Sequence, residues 1–526
     1  MKNRNQLKIG SLMSYAQMFL GIIISLIYTP IMLDLLGASE YGLYNTVSSA
    51  ISMLSLLSLG LNSGYIRYYA KYKRDNDSES IWKLNGLFLI IFTIIGMIAL
   101  VCGLFLASHL EIVFAEGLTV DEYRIARVLM ILLTCNLAIS FPMSVFSHII
   151  SANENFIFLK TVGVIKTILS PLVTLPILLM GFRSIAMVAA TLVFSVVTEL
   201  IYAYYVIVKL HHRFTFCNFE KGIFFSLISY TAFIAINLIV DRINWNVDKI
   251  LLGRYKGTEA VAVYSVGYTL YQYYMMFSTS ISSVFTPRIH KIVNDTEGNL
   301  PLRREKLTDL FIKVGRIQYI LLGLIASGIF FFGKDFITKY WAGVIYGESY
   351  YVALLLVFPA SISLIQNTGI EIQRAQSKHK FRALVYLGMA VVNIVLSVVL
   401  CQKYGPIGSA VGTAISLVMA NGLIMNLYYH LRCNIDVIRF WYNIDRVSLG
   451  LIIPVLFGLL MTRYFVFSGI GVYLIGISLY STVYCLSMWL IGLNRYEKSL
   501  IIDLFYKVMG KCFLVRSGEK QDDQNC

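Results

Sequence analysis

Residues 84–107 read LNGLFLIIFTIIGMIALVCGLFLA, a run of 24 positions without one charged side chain. A helix rises 1.5 Å per residue, so about 20 such residues cross the roughly 30 Å hydrocarbon core of a bilayer. A membrane-spanning strand would need only about ten residues of alternating character, and no alternation is present here. Comparable runs recur on both sides of this one, separated by short polar breaks. They place helices at about 9–33, 42–68, 84–107, 125–150, 157–180, 185–208, 223–245, 258–286, 310–333, 350–373, 382–402, 408–429, 447–466 and 471–492. The expected fold class is an all-α polytopic membrane protein of about 14 transmembrane helices.

Composition agrees. The 526 residues are 57% hydrophobic and 14% charged, with mean hydropathy +0.71, whereas a soluble domain carries about 25% charged residues. Lys2, Arg4 and Lys8 precede a run from Ile9 to Leu33 that is too long for a signal-peptide core and lacks a small-residue cleavage site, so it reads as the first span. The net charge of +15 is better explained by basic cytoplasmic loops than by nucleic acid. None of the eight cysteines forms a CxxC pair, and several lie inside spans. They imply neither a disulfide framework nor a zinc site. Intramembrane prolines (Pro30, Pro142, Pro171, Pro176, Pro287, Pro359 and Pro454) predict bent helices.

Charge also orients the chain. With the N-terminus inside and the spans alternating, about 32 of the 44 Lys/Arg fall on inside segments and about 11 on outside ones, with Lys166 left in mid-span. Lys71, Lys73, Arg74, Lys83, Arg303, Arg304, Lys306, Arg374, Lys378 and Lys380 are among the inside set. Both termini are therefore expected in the cytoplasm. The connection between the seventh and eighth helices is the exception, with Arg242, Lys249, Arg254 and Lys256 towards the outer side.

Weak self-similarity appears at a nearly fixed offset. Leu35-Leu36-Gly37 and Leu251-Leu252-Gly253 are 216 residues apart, Tyr44 and Tyr264 are 220 apart, and Arg67 and Arg288 are 221 apart. Phe156 and Phe381 follow at 225, and Gly181 and Gly405 at 224. The order predicts a duplicated six-helix unit, hence parallel repeats: residues 1–220, residues 221–440, two extra helices over 441–492 and a cytoplasmic tail over 493–526. Two like halves in a membrane imply a midplane site between them and alternating access, which points to a transporter.

Three segments carry a resemblance: Val247-Asp248-Lys249-Ile250-Leu251-Leu252-Gly253 followed by Val263-Tyr264-Ser265, then Leu36 to Tyr44 (LGASEYGLY), and Tyr404 to Ala410 (YGPIGSA). Taken in chain order, they resemble the bacterial polysaccharide-unit flippases, the polysaccharide transporter branch of the multidrug/oligosaccharidyl-lipid/polysaccharide (MOP, MATE-like) exporter superfamily. The resemblance implies a V-shaped MOP-type fold. It implies translocation of undecaprenyl-diphosphate-linked sugar units from the cytoplasmic to the periplasmic leaflet of the bacterial inner membrane, for O-antigen, capsule or a related polymer. It also implies coupling to an ion gradient of H+ or Na+ rather than to ATP. The chain has no GxxxxGK[ST] phosphate loop. Membrane lipids and polysaccharide assembly proteins are the remaining expected partners; no cofactor, metal or nucleic acid is expected.

A diphosphate carrying sugars calls for cations in a partly dehydrated cavity, with aromatic and amide side chains for the sugars. Ionisable groups inside spans are costly and become the first candidates. Asp241 and Asp248 lie two helical turns apart, as do Arg242 and Lys249, so each pair shares a face. Either the cations meet phosphate or an acidic sugar while a carboxylate serves ion coupling, or the two signs pair with each other. Lys166 faces the cavity or pairs with an acid such as Glu199, itself the plainest proton or cation site. Arg67 and Arg288 are interfacial anchors or capture the diphosphate at the cytoplasmic mouth. Tyr271, Gln272 and Asn237 would contact sugars, or belong to the aromatic belt and to tight packing. Glu371 and Arg374 are expected to form an intrahelical pair. The tail reads as an amphipathic interfacial segment followed by a disordered end. A drug or cation antiporter of the same superfamily is the first rival; a membrane polymerase or ligase is the second, without the large outer loop or the HExxH, GxSxG or DxD motif such chemistry needs.

Overall fold

The structure is a computed structural model. It describes residues 2–500 and 502, except 59, 115–117, 217–220, 377 and 466; among these it leaves out the side chains of 2–5, 7, 8, 11, 221–230, 232–234, 236, 237, 241 and 379. Most of the tail over 493–526 therefore lies outside the described residues.

Every regular element described is helical: α1 Lys2–Leu54, α2 Leu61–Arg74, α3 Ser78–Ser108, α4 Val120–Ala152, α5 Phe156–Leu179, α6 Ser184–Tyr204, α7 Lys221–Tyr255, α8 Thr258–Asp295, α9 Leu300–Asp335, α10 Ser349–Leu364, α11 Asn367–Ala375, α12 His379–Leu417, α13 Asn426–Arg432, α14 Val437–Ser448, α15 Ile452–Tyr464 and α16 Ile470–Ser487. Nine described helical stretches are long and apolar enough to cross a membrane, and the α10–α11 pair, bent by 40°, makes a tenth. Two of the nine each hold two spans. The helix α1 reverses at Gly37 (φ 76°) and α12 at Gly405 (φ 58°). An L side chain is strained at these left-handed angles and glycine is not, so the chain turns with no intervening loop. With α7 and α8 the described residues contain the fourteen helices that the apolar runs predict.

The apolar runs understate α7, placed at 223–245 from sequence. Asp241, Arg242, Asp248 and Lys249 end the run, but the helix continues to Tyr255, where Asp248, Lys249 and Arg254 find hydrogen-bond partners on other elements. The repeat needs the same correction. Gly253 does not follow the seventh helix. It lies inside α7, facing Thr46 so closely that a Cβ would come within 2.7 Å of the threonine methyl. The turn belongs to Gly257 (φ 83°), 220 residues after Gly37.

The chain forms two compact units. The first is Met1–Met276, Lys334–Ser363 and Ser377–Met425; the second is Phe277–Gly333, Leu364–Gln376 and Asn426–Cys526. One core of the first unit surrounds Leu43, Val47, Leu110, Ala126, Leu129 and Met130; another surrounds Tyr65, Phe88, Val145 and Ile149, all fully buried. The apolar side chains left on the outside, such as Ile94, Met97 and Val101 of α3, are those a bilayer would solvate. In the second unit, Arg316 of α9 is buried against Glu497, donating through Nε to Oε1 at 2.6 Å and through Nη2 to Oε2 at 2.8 Å. Its other donors reach the carbonyls of Asn443 and Gly492, both at 2.9 Å. Four of the five guanidinium N–H donors are thereby engaged, which offsets the desolvation that a buried ion pair incurs.

A buried carboxylate and an aromatic ladder

The polar centre of the first unit lies where α7, α8 and the two arms of α12 meet. Asp248 is 1% exposed. Its Oδ1 accepts from Ser409 Oγ at 2.9 Å, and its Oδ2 from Tyr264 Oη at 2.8 Å and Thr413 Oγ1 at 2.7 Å. Asn393 Oδ1 accepts from Ser397 Oγ at 3.2 Å and shares the Thr413 hydroxyl at the longer distance of 3.3 Å. The two arms of α12 approach so closely at Gly408 that a Cβ there would lie 2.1 Å from the Leu400 carbonyl oxygen. This approach lets Ser409 and Thr413, one turn apart, face the same carboxylate. The result is a cluster of oxygen atoms around a single acid with no described ion pair to it. A carboxylate so placed is held by hydroxyl dipoles, and the same oxygens can turn lone pairs towards a small cation or surrender a proton site.

Lys249, the next residue, points elsewhere. Its Nζ lies 4.7 Å from the centroid of the Tyr268 ring and 3.5 Å from Asn45 Oδ1 of α1. Mutual pairing of the two signs, one of the two readings of α7, does not form between Asp248 and Lys249. From Tyr268 a ladder of rings continues along α8. Tyr264 stacks at 6.3 Å and Tyr271 follows at 5.9 Å, while Trp245 of α7 stacks on Tyr271 at 5.0 Å. Arg242 is exposed one turn before Trp245 on the same helix, and Gln272 is half-buried beside Tyr271. Asn237 and Asp241 lie on α7, but their side chains fall outside the described residues.

The other candidates are separate from this cluster. Lys166 of α5 is half-buried and donates to Ser195 Oγ of α6 at 3.2 Å. Glu199, one turn beyond Ser195, has a buried Oε2 without a hydrogen-bond partner. The two charges act on each other without closing into an ion pair. Arg67 of α2 and Arg288 of α8 are both exposed. Glu371 and Arg374 form the expected pair at 2.7 Å. Sequence reading passed over Trp245, Asn393, Ser397 and Thr413. Tyr264 and Ser409 stood inside the quoted segments without a role. The only sequence signal for Thr413 was its position one helical turn after Ser409.

The membrane-length helices define a multi-pass membrane protein, and comparison with known proteins specifies it. Among solved structures, the fold matches the lipid II flippase MurJ in its inward closed conformation, with TM-score 0.70 and 16% identity over 95% of this chain and 99% of that one. It also matches an inward-facing multidrug resistance MATE family transporter of the MOP superfamily, with TM-score 0.60 and 16% identity over 78% of this chain and 98% of the other. Among curated relatives, the "Putative O-antigen transporter" of Shigella flexneri is 22% identical over 76% of this chain and 92% of its own length. The capsular polysaccharide biosynthesis protein CapF of Staphylococcus aureus is 23% identical over 45% of this chain and 57% of its own. The family model described as polysaccharide biosynthesis protein matches residues 9–293. The chain belongs to that family, within the MOP fold.

Proposed function

We propose that the chain is a flippase that carries undecaprenyl-diphosphate-linked oligosaccharide units from the cytoplasmic to the outer leaflet of the bacterial inner membrane, for surface polysaccharide synthesis. The halves over 1–220 and 221–440 alternate access, both termini are cytoplasmic, and an ion gradient drives the cycle. No covalent bond of the substrate is made or broken.

One observation carries the reading: the ladder Trp245, Tyr271, Tyr268 with Lys249 over its last ring and Arg242 exposed one helical turn before Trp245, a platform whose tyrosines are buried in this structure and open to the ligand in the transport cycle. Aromatic faces stack on the apolar faces of sugars, and a cation among them answers an anionic group on the same ligand. Lys166, Arg67 and Arg288 supply further cations, and Gln272 and Asn237 amide groups for sugar hydroxyls. Glu199, Asp241 and Asp248 are the acids available for ion coupling. The solved MATE neighbours raise a drug or cation antiporter as the second reading. Such a protein needs an acid open to a cationic substrate, whereas Asp248 is closed within its hydroxyls.

The test is deletion of the gene followed by localisation of the lipid-linked unit, with complementation by Lys166→Ala, Arg242→Ala and Glu199→Gln. The unit should be made but retained on the cytoplasmic leaflet, and the Lys166 or Arg242 variant should fail to restore export although folded. If single units reach the outer leaflet normally and only polymer is missing, the chain is a polymerase or ligase instead.

A further inference from the structure

The acids named above differ in a way that assigns one of them a task. Asp248 has donors on both oxygens. Glu199 has an oxygen, Oε2, that is shielded from solvent and receives no donor at all. Its helix turns Ser195, Thr198 and Tyr202 to the interior, and Glu199 lies on that same side, half-buried. An orphaned carboxylate oxygen in an apolar setting is costly as an anion and is satisfied by a proton. What favours the anion is Lys166, across on α5. Its ammonium is held by Ser195 Oγ and its charge acts on Glu199 from beyond ion-pairing distance. Of the described groups, Tyr202 on α6 is the other titratable side chain that senses Glu199.

Lys166 has one described hydrogen bond, to a neutral serine, and three donors to give. An anion arriving at Lys166 therefore finds two donors open. It also neutralises the charge that favours the Glu199 carboxylate and adds a negative charge nearby. We infer that Lys166, Ser195 and Glu199 form a proton-exchanging site in which an organic diphosphate binds Lys166 and Glu199 takes up a proton in response. This rests on the flippase reading and deepens it. Substrate loading and proton uptake become one event, and the loaded site holds one negative charge fewer than the ligand brings to it. Thermodynamic reciprocity then requires anion affinity to rise as pH falls. No bond of the ligand changes; one proton moves from water to Glu199 Oε2.

The experiment uses the purified full chain in detergent and a soluble short-chain prenyl diphosphate as the probe. Calorimetric titration is run in buffers of different ionisation enthalpy, so that the buffer-dependent heat reports protons taken up per ligand bound. The wild type should take up a proton on binding, and its affinity should rise at lower pH. Glu199→Gln should still bind but take up none, and its pH dependence should vanish. Lys166→Ala should bind about tenfold more weakly, the loss of one charge-assisted contact. Uptake that persists in Glu199→Gln, binding without uptake in the wild type, or no binding to the wild type each overturns the inference. Gene deletion separates this from the broader reading. A chain required for export whose Glu199 takes up no proton sinks this inference alone, while normal export in the deletion strain sinks the flippase reading.

Discussion

Asp248 is a buried acid whose described hydrogen-bond partners are all neutral hydroxyls. In the sequence it is one of two acids on a shared face, next to a lysine that looks like its partner. In the structure its two oxygens receive three hydroxyls from α8 and α12, and Lys249 turns to Asn45 and the Tyr268 ring. The sequence exposed the charge but not the partners, because hydroxyl donors 16 and 161 positions away leave no local pattern. Asp248→Asn replaces one acceptor oxygen by an NH2 group that faces hydroxyl donors. Hydrogen bonds to a charged group contribute about 1.5–3 kcal/mol each, and a stranded buried donor costs a similar amount. Asp248→Asn should therefore lower the stability of the solubilised protein by about 2 kcal/mol or more, read as a lower midpoint in thermal unfolding. A variant with the wild-type midpoint would show that the cage does not hold this carboxylate as an anion. Asp248→Ala, which also opens a cavity, should lose more.

Helices were legible almost throughout, since an apolar run of membrane length admits little else, and the glycine breaks at Gly37 and Gly405 fell where the runs ended. Legibility failed where polar residues lie inside a helix, as in the last turns of α7, and wherever segments without regular structure do the joining. Residues 210–216, after α6, are such a segment. Thr215 N donates to the Trp82 carbonyl at 3.0 Å, and Asn85 Nδ2 donates to the Arg213 carbonyl at 3.2 Å. His212 Nε2 lies 3.0 Å from Asn153 Nδ2 and 3.4 Å from Tyr69 Oη. The Tyr69 hydroxyl donates to Asn153 Oδ1 at 2.8 Å, which leaves the amide of Asn153 free to donate to an unprotonated imidazole. Burial, reinforced by the Lys73 charge, lowers the His212 pKa below its ordinary value. The folded protein thus favours neutral His212. The strap's stabilisation is complete above about pH 6.5, the unfolded value, and is lost as pH falls below it through the lowered folded pKa. Hydrogen exchange at 210–216, corrected for intrinsic rates, should accelerate between about pH 7 and about pH 5 in the wild type. In His212→Gln that pH dependence should disappear. Equal protection of the wild-type segment across this range would mean that protonating His212 costs the strap nothing.

The fourteen helices set a constraint on the whole molecule that no single helix does. An even number of spans puts both ends of the membrane-embedded chain on one side, and the Lys/Arg count chooses the side. Asp75, in the turn between α2 and α3, follows two spans; Asp121, in the first turn of α4, follows three, and both are exposed. With about 32 of the 44 Lys/Arg on the predicted inner segments, Asp75 should face the cytoplasm and Asp121 the outer side. In a variant with its eight cysteines replaced, Asp121→Cys should react with a membrane-impermeant maleimide in intact spheroplasts. Asp75→Cys should react only after the membrane is opened. The consequence reaches the site. In this orientation α7 runs outward, so Asp248, Lys249 and the Tyr268 ring lie within about 11 Å, two helical turns, of its outer end at Tyr255. If the chain is the proposed flippase, the cation and the ladder then meet the sugar unit on the side of release, and the basic turns after α2 and α8 meet it on the side of loading. Inverted labelling would put the ladder at the cytoplasmic entrance. Lys249 would then be a loading residue, and its removal should weaken capture of the diphosphate rather than release.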